Sequence, residues 1–298
     1  MTAMNFHPSL QMTPVSSYEP RSSFQPVQDH PLQPSSIAFD AIAEQFVAAR
    51  QAGKAIAAFP GTVPETLADA YQIQDAAIGR VDEAIIGWKV GRIWPPLSDH
   101  FGAQRLSGPV FSSRAKRLNG GTEPMAGQVF CGGFGAAEAE FLLRISENLP
   151  LGKSDYSLAE AAGLIDQVHI GIEVASSPFA GINDGGPTVT IADFGNNNGL
   201  IIGDEVTASD YAQWDIVAAI DGVEVGRGTA SAFPDGPVGS VRFLLNNLGE
   251  RGIAVGAGTW VSTGAITGVH VIVPGQRFDA KFGAHLSASC VIEAVPTR

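Results

Sequence analysis

The sequence predicts an α+β fold in which a small helical start precedes a glycine-rich β body. Three observations predict it. Two apolar stripes at helical spacing open the ordered part of the chain, short runs of strand-forming residues dominate from residue 85 onward, and glycine-rich turns separate those runs. No internal repeat competes with this reading.

The first stretch, Met1 to Ser36, carries prolines at 8, 14, 20, 26, 31 and 34 and few large aliphatic residues. Burial cannot offset the entropy of ordering such a segment, so it is expected to be a flexible extension. Phe6, Leu10 and Phe24 leave room for an arm that drapes over a neighbouring subunit. Order begins with Ser36 as the N-cap of a helix whose stripe is Phe39, Ile42, Phe46 and Ala49, ending near Gly53. Pro64 marks the start of a second helix with Leu67, Ala70, Tyr71, Gln74, Ile78 and Val81 on its buried side. Together they form a helical N-terminal subdomain over 37–84, packed on a larger domain of 85–298.

Ile85 to Gly91 predicts a short buried strand containing Lys89. A buried ammonium is costly without partners, so Lys89 either snorkels to the surface or faces an anion. Residues 92–102 form a proline-broken loop long enough to act as a lid. Between Leu118 and Gly135 glycines mark turns, and neither Gly-x-Gly-x-x-Gly nor a Gly-Lys-Ser/Thr ending occurs. A nucleotide cofactor is not expected.

Gly135 to Ile145 is the stretch that carries chemistry. Alternation puts Ala139, Phe141, Leu143 and Ile145 on one face and Glu138 with Glu140 on the other. Side-by-side carboxylates repel unless a cation, a shared proton or water screens them; a hard divalent cation is the obvious remedy, and the solvated face of an ordinary antiparallel strand is the alternative. Ser157 and Glu160 match a capping box that opens a helix to about Asp166. That helix leads into a strand with His169, Gly171 and Glu173 on one face, where Glu173 offers a third oxygen ligand and His169 either reaches toward the same ion or is a hydrogen-bonded structural residue, the commoner role of a lone histidine beside a core strand. Thr188 to Ala192 is expected to be a strand, followed by an Asn-rich turn through Asn196 and the apolar run Leu200 to Ile202. Asp221-Gly222 joins Ile216–Ile220 to Val223–Arg227 as a hairpin, and Val241 to Leu248 has helical periodicity. The last strands cover Thr259 to Ser262, Val269 to Val273, Arg277 to Phe282 and Leu286 to Glu293.

Composition narrows the partners. With 18 Lys+Arg against 30 Asp+Glu the formal charge is −12, and no basic block offers a stripe for phosphates, so nucleic acid is not expected. No apolar run is long enough to span a bilayer and the first residues do not resemble a secretory signal, so no membrane role is expected. Cys131 and Cys290 lie outside any Cys-x-x-Cys spacing, which argues against a disulfide framework or zinc knuckle and fits the cytoplasm.

Gly87-Trp88-Lys89-Val90-Gly91, Glu138-Ala139-Glu140, Ile172-Glu173-Val174, Ala192-Asp193, Gly199 to Gly203 and Ser262-Thr263-Gly264 follow one another in a fixed order. That order, with the helix signature Ala70 to Gln74, resembles the 2-keto-4-pentenoate hydratase and 4-oxalocrotonate decarboxylase branch of the fumarylacetoacetate hydrolase superfamily, from about Ala41 to the C-terminus. The resemblance implies a mixed β-sandwich or roll over 85–298, a homo-oligomer, and Mg2+ or Mn2+ held by Glu138, Glu140 and Glu173. It makes Lys89 the catalytic partner, with Thr263 and Gly264 closing on a 2-oxo acid and the loop of Asn196 lining its pocket. The implied reaction is addition of water to a 2-hydroxy-2,4-dienoate to give a 4-hydroxy-2-oxo acid, as in meta-cleavage aromatic catabolism. Decarboxylation of an oxalocrotonate-like 2-oxo dioic acid is the alternative, and a non-catalytic homologue serving as a partner subunit is a third. The sequence departs from the branch at three places: Gln104 to Phe111 lacks the lid carboxylate, Asp193 to Asn196 replaces an Asp-Asn-Ala-Ser-like turn, and Ser177 stands where an arginine is common. An acylpyruvate-type hydrolase would need a Glu-His pair, for which Asp99-His100 is the nearest candidate.

Overall fold

A computed structural model of the chain describes residues 34–118 and 124–298. The extension expected over Met1 to Ser36 lies outside them except for 34–36, which open the first helix. In chain order the described elements are α1 (Pro34–Ala52), α2 (Leu67–Ile78), β1 (Ile85–Arg92), α3 (Leu97–Phe101), β2 (Arg105–Phe111), β3 (Ala115–Arg117), β4 (Met125–Val129), β5 (Phe134–Ile145), α4 (Leu158–Gly163) and β6 (Ile165–Ser177). They continue with α5 (Pro187–Ala192), β7 (Asn197–Glu205), β8 (Ile216–Ile220), β9 (Val223–Gly228), α6 (Gly236–Glu250), β10 (Trp260–Ser262), β11 (His270–Val271), β12 (Arg277–Phe282) and β13 (Leu286–Ala294).

The α+β expectation holds. The strands form an eight-stranded sheet, ordered β2-β1-β10-β5-β6-β7-β3 with β11 paired to β5, and a five-stranded sheet ordered β4-β13-β12-β8-β9. Both mix parallel and antiparallel pairs. The main core lies between them. Ala139, Phe141, Leu143, Ile170, Ile172 and Val174 from the large sheet meet Ile216, Ala218, Phe278, Ala280 and Phe282 from the small one. Helix α6 closes one end with Val241, Leu244, Leu245 and Leu248, a stripe at the 3.6 period. Each such fully buried side chain contributes roughly 1.5–3 kcal/mol. The opposite face of β5 and β6 is thereby left to the carboxylates and a small apolar patch of Val110, Leu142, Leu200, Ile202 and Trp260.

Helices α1 and α2 pack through Ile42, Ala43, Phe46, Val47, Ile73 and Ala77 onto Phe111, Ala192 and Phe194 of the body. Two starts differ from expectation. α1 begins at Pro34, two residues before Ser36, and α2 begins after Thr66, whose hydroxyl accepts a hydrogen bond from the Asp69 amide at 3.1 Å. Pro64 therefore lies outside the helix.

Larger corrections concern two segments. Thr188 to Ala192 is not a strand but most of α5, with Pro187 at its first turn behind a left-handed Gly186. Gln104 to Phe111, compared above with a lid, is almost entirely the buried strand β2, and the 92–102 loop contains the short helix α3. The Asp221-Gly222 hairpin forms as expected, with both residues at positive φ. The capping box at Ser157 and Glu160 is likewise complete. No helix among the described residues is long and apolar enough to cross a membrane.

Candidate metal centre and cavity

Strand register brings the predicted carboxylates together. In the antiparallel pair of β5 and β6, Glu138 lies directly opposite Glu173, and Glu140 lies opposite Gly171. One oxygen of each of the three lies within 4.8 Å of the others, and all three residues are buried. The neighbouring donors each occupy an outward oxygen. Asn197 Nδ2 donates to Glu173 Oε1 at 3.0 Å, while Ser262 Oγ and the Gly264 amide donate to Glu140 Oε2 at 2.5 and 2.9 Å. Glu140 Oε1 and Glu173 Oε2 have no hydrogen-bond partner. Buried oxygens left bare in this way are costly unless something cationic meets them.

Lys89 supplies part of that charge. It sits on β1, buried, with Nζ 3.5 Å from Glu173 Oε2, so it does not snorkel. Burial works against its ammonium, yet Glu173, Glu138 and Glu140 outweigh that and hold its pKa above the ordinary lysine value. The carboxyls move the same way for the opposite reason. Burial, then the charge of Glu173, pushes Glu138 up to about 8, and burial with both neighbours pushes Glu140 well above the usual range. Three carboxylates and one ammonium carry a formal −2 when ionised, which one divalent cation cancels. The all-oxygen donor set suits a hard ion such as Mg2+ or Mn2+. The residues present fit the cofactor that the sequence implied.

Above the triad opens a cavity of about 400 Å3, walled by Lys89, Glu138 and Asn196, by the 91–97 segment, by Asn183, Pro187 and Thr190 around α5, and by Ala265, Gly268 and Val269. Asn196 contributes a buried Oδ1 without a partner. Arg92 also borders the cavity, its guanidinium 3.8 Å from the Trp94 ring centroid and 5.5 Å from that of Phe233. No described carboxylate lies within ion-pair distance of it. No pattern in the sequence separates this arginine from the rest of the 92–102 loop.

The other expected residues are placed as follows. Thr263 donates its hydroxyl to the Phe141 carbonyl at 2.8 Å, and neither it nor Gly264 lines the cavity; Gly264 serves Glu140 instead. His169 stays outside the triad, with Nδ1 on the Gly203 carbonyl at 2.8 Å and its ring edge-on to Trp260. Asp99 and His100 lie on α3, and neither faces the cavity; His100 borders a separate groove with Val63 to Ala68. Gln74 is buried and donates to the carbonyls of Ser107 and Ile191, fastening α2 to β2 and α5.

The Asn-rich turn proves more specific than a loop. Phe194, Gly195 and Asn196 have φ of 53°, 64° and 65°, three left-handed residues in succession. For the two with side chains that conformation costs roughly 1–3 kcal/mol each, so surrounding contacts must impose it. Beyond the turn, β7 carries one extra residue, Asn198, between the pairs Ala175–Asn197 and Val174–Gly199. Such a bulge re-aims side chains, and here Asn197 is aimed at Glu173. The arginine expected near Ser177 is absent from β6, yet a guanidinium does reach the Ser176 carbonyl, at 3.0 Å, from Arg50 on α1.

No family model matches the chain. A 4-oxalocrotonate decarboxylase from Pseudomonas putida is 26% identical over 224 residues, covering 73% of this chain and 82% of that protein. Over most of its length the chain is thus similar to a member of the hydratase and decarboxylase branch of the fumarylacetoacetate hydrolase superfamily. Two solved structures of 4-oxalocrotonate decarboxylase from Pseudomonas putida G7, one with calcium and acetate and one with magnesium and adipate, each superpose with a TM-score of 0.71. Their identities are 23% and 24%, and the alignments span 87% and 86% of this chain and 98% and 97% of theirs. At that identity they establish the shared fold.

Proposed function

We propose that the chain decarboxylates an oxalocrotonate-like 2-oxo dioic acid, using a divalent cation held by Glu138, Glu140 and Glu173. The observation that carries this reading is the cavity itself. Two cations border it, Lys89 at the triad and Arg92 farther out, while Ile93, Trp94, Pro95, Pro96, Leu97 and Pro187 supply apolar wall. Among the described residues lining it, Glu138 is the sole carboxylate and no histidine is present to activate water. A 2-oxo dioic acid matches two cationic points, and adipate, held by the Pseudomonas putida relative, is itself a six-carbon dicarboxylate.

When bound, the cation supplies a Lewis acid that can take the 1-carboxylate and 2-oxygen of the substrate and neutralise charge arriving on that oxygen. Arg92 holds the distal carboxylate in register, and the apolar wall strips water from it. The bond to that carboxylate breaks, its electron pair moves through the conjugated chain to the 2-oxygen, and CO2 leaves. Lys89 Nζ holds a proton beside the triad and is placed to donate it to the 2-oxygen, giving a 2-hydroxydienoate.

Hydration of a 2-hydroxy-2,4-dienoate is the second reading. The unpartnered Asn196 Oδ1, with Asn183 and Thr190 nearby, offers a place to orient a water molecule. Turnover of a 2-oxo-3-enedioate and of a 2-hydroxydienoate, each with Mg2+, Mn2+ or chelator, separates the two. Metal-dependent CO2 release from the diacid is expected. Consumption of the dienoate to a 4-hydroxy-2-oxo acid, with no CO2 from the diacid, would replace decarboxylation with hydration.

A further inference from the structure

Arg50, in the last turn of α1, touches neither the carboxylate triad nor the cavity above it. Its side chain is nine-tenths buried, and its polar atoms point at the turn that follows α5 and at the end of β6. Nε and Nη2 clasp the two Asp193 carboxylate oxygens at 2.5 and 2.9 Å. Nη1 donates to the Asn197 carbonyl at 3.0 Å and reaches Asn198 Oδ1 at 3.4 Å. Nη2 also donates to the carbonyls of Ser176 and Asp193. The guanidinium plane is closed in by Phe130 and Phe194, whose ring centroids lie 5.6 and 5.2 Å from Cζ.

A single planar fork thus joins both ends of the left-handed turn to β6, which no ammonium could reproduce. The turn has two outputs: Asn196 on the cavity wall and Asn197 on Glu173 Oε1. Gly195 and Asn196 tolerate positive φ, but Phe194 does not, so the clasp and the close packing of Gly108 on the Phe194 carbonyl and Gly195 hold the turn in place.

We infer that Arg50 is a positioning residue of the metal centre, acting through the Asp193–Asn198 turn to hold Asn197 against Glu173. The inference rests on the triad being a metal site. It does not depend on which 2-oxo acid is turned over.

The test is Mn2+ affinity by calorimetry on full-length protein, with no substrate present. Removing the charge would strand the buried Asp193 carboxylate and could unfold the chain. The chosen variant is therefore Arg50→Lys, which keeps the charge and loses the fork, beside Asn197→Ala and the double variant. Folding of each is checked by thermal unfolding. Outer partners of metal ligands typically govern affinity by about 10- to 100-fold. Each single variant is expected to lose on that order, and the double variant no more than Asn197→Ala alone, because Arg50 works through Asn197. A folded Arg50→Lys with parental affinity, or losses that multiply in the double variant, would overturn the inference and leave the metal site standing. Should Arg50→Lys fail to fold, Asp193→Asn takes its place under the same criteria. A parent chain that binds no Mn2+ would overturn the site and the inference together.

Discussion

Replacing Lys89 with methionine probes the site most directly, because it keeps the length and apolar volume of the side chain and deletes the charge. With Nζ 3.5 Å from Glu173 Oε2, the gross attraction is about 5 kcal/mol at an effective dielectric of about 20. Part of that offsets the cost of burying the ammonium, and breaking a buried pair from one side leaves a net loss of roughly 3 kcal/mol. In a chain of this size that corresponds to a fall in Tm of about 6–12 °C. The loss should be seen in chelator and largely disappear in saturating Mn2+, which replaces the missing positive charge. Metal affinity should stay equal or tighten, and turnover should fall about 100-fold or more if the ammonium donates a proton or stabilises developing charge. Thermal unfolding with and without Mn2+, beside turnover of the diacid, is the assay. Full turnover, or an unchanged Tm in chelator, would refute the placement of Lys89 as charge partner of the triad.

Three further outcomes follow from the same geometry. Glu140→Gln keeps the Ser262 and Gly264 contacts within reach but removes a ligand charge; calorimetry should show metal affinity falling by more than the roughly 10- to 100-fold typical of an outer partner. Glu138 has a folded pKa of about 8 against an ordinary 4.5, so the metal-free fold is favoured at low pH and loses stability as pH rises through 8. The metal needs the ionised form, so the rise in Tm on adding Mg2+ should be larger at pH 8 than at pH 6, and an equal rise at both would contradict the burial argument. In Gly108→Ala the new Cβ would lie 2.0 Å from the Phe194 carbonyl oxygen, which forces the left-handed turn to move. We expect it to cost about 1–3 kcal/mol in denaturant titrations and to weaken Mn2+ binding as well, whereas parental binding would show that the turn can shift freely.

Much of the site was legible because strand alternation is strict. Once Gly135 to Ile145 is a strand, Glu138 and Glu140 must share a face, and His169, Gly171 and Glu173 must share another. What alternation cannot give is register: that Glu173 stands opposite Glu138 follows from long-range pairing. Register also decides between the two roles open to His169: it pairs with Leu142, one step beyond the carboxylates and beside the Trp260 patch, and is a hydrogen-bonded structural residue. Thr188 to Ala192 looked like a strand because Thr-Val-Thr-Ile is rich in β-branched residues. Tertiary contacts prevailed: the Gly186-Pro187 start sets a helical first turn, and α2 packs along it, with Gln74 bonded to the Ile191 carbonyl. β2 was hidden by Pro109, but β2 is the edge strand of its sheet, where a missing amide is tolerated. Arg50 left no local signal, and Asn197 and Ser262 gave none of their bonds to Glu173 and Glu140; each acts across at least 24 residues of sequence.

β5 and β6 show two different chemistries on their two faces. Ala139, Phe141 and Ile172 point into the densest part of the interior, and their immediate neighbours Glu138, Glu140 and Glu173 point the other way. A backbone shift of a few tenths of an ångström, trivial for an oily interior, is large for a shell of oxygens that must close on one small ion. Substitutions that improve packing on these strands should therefore surface in a laboratory-evolution experiment as changes in ion preference as often as in heat tolerance. Robust variants are better sought on the small sheet or on α6, where the chain can drift without retuning its chemistry.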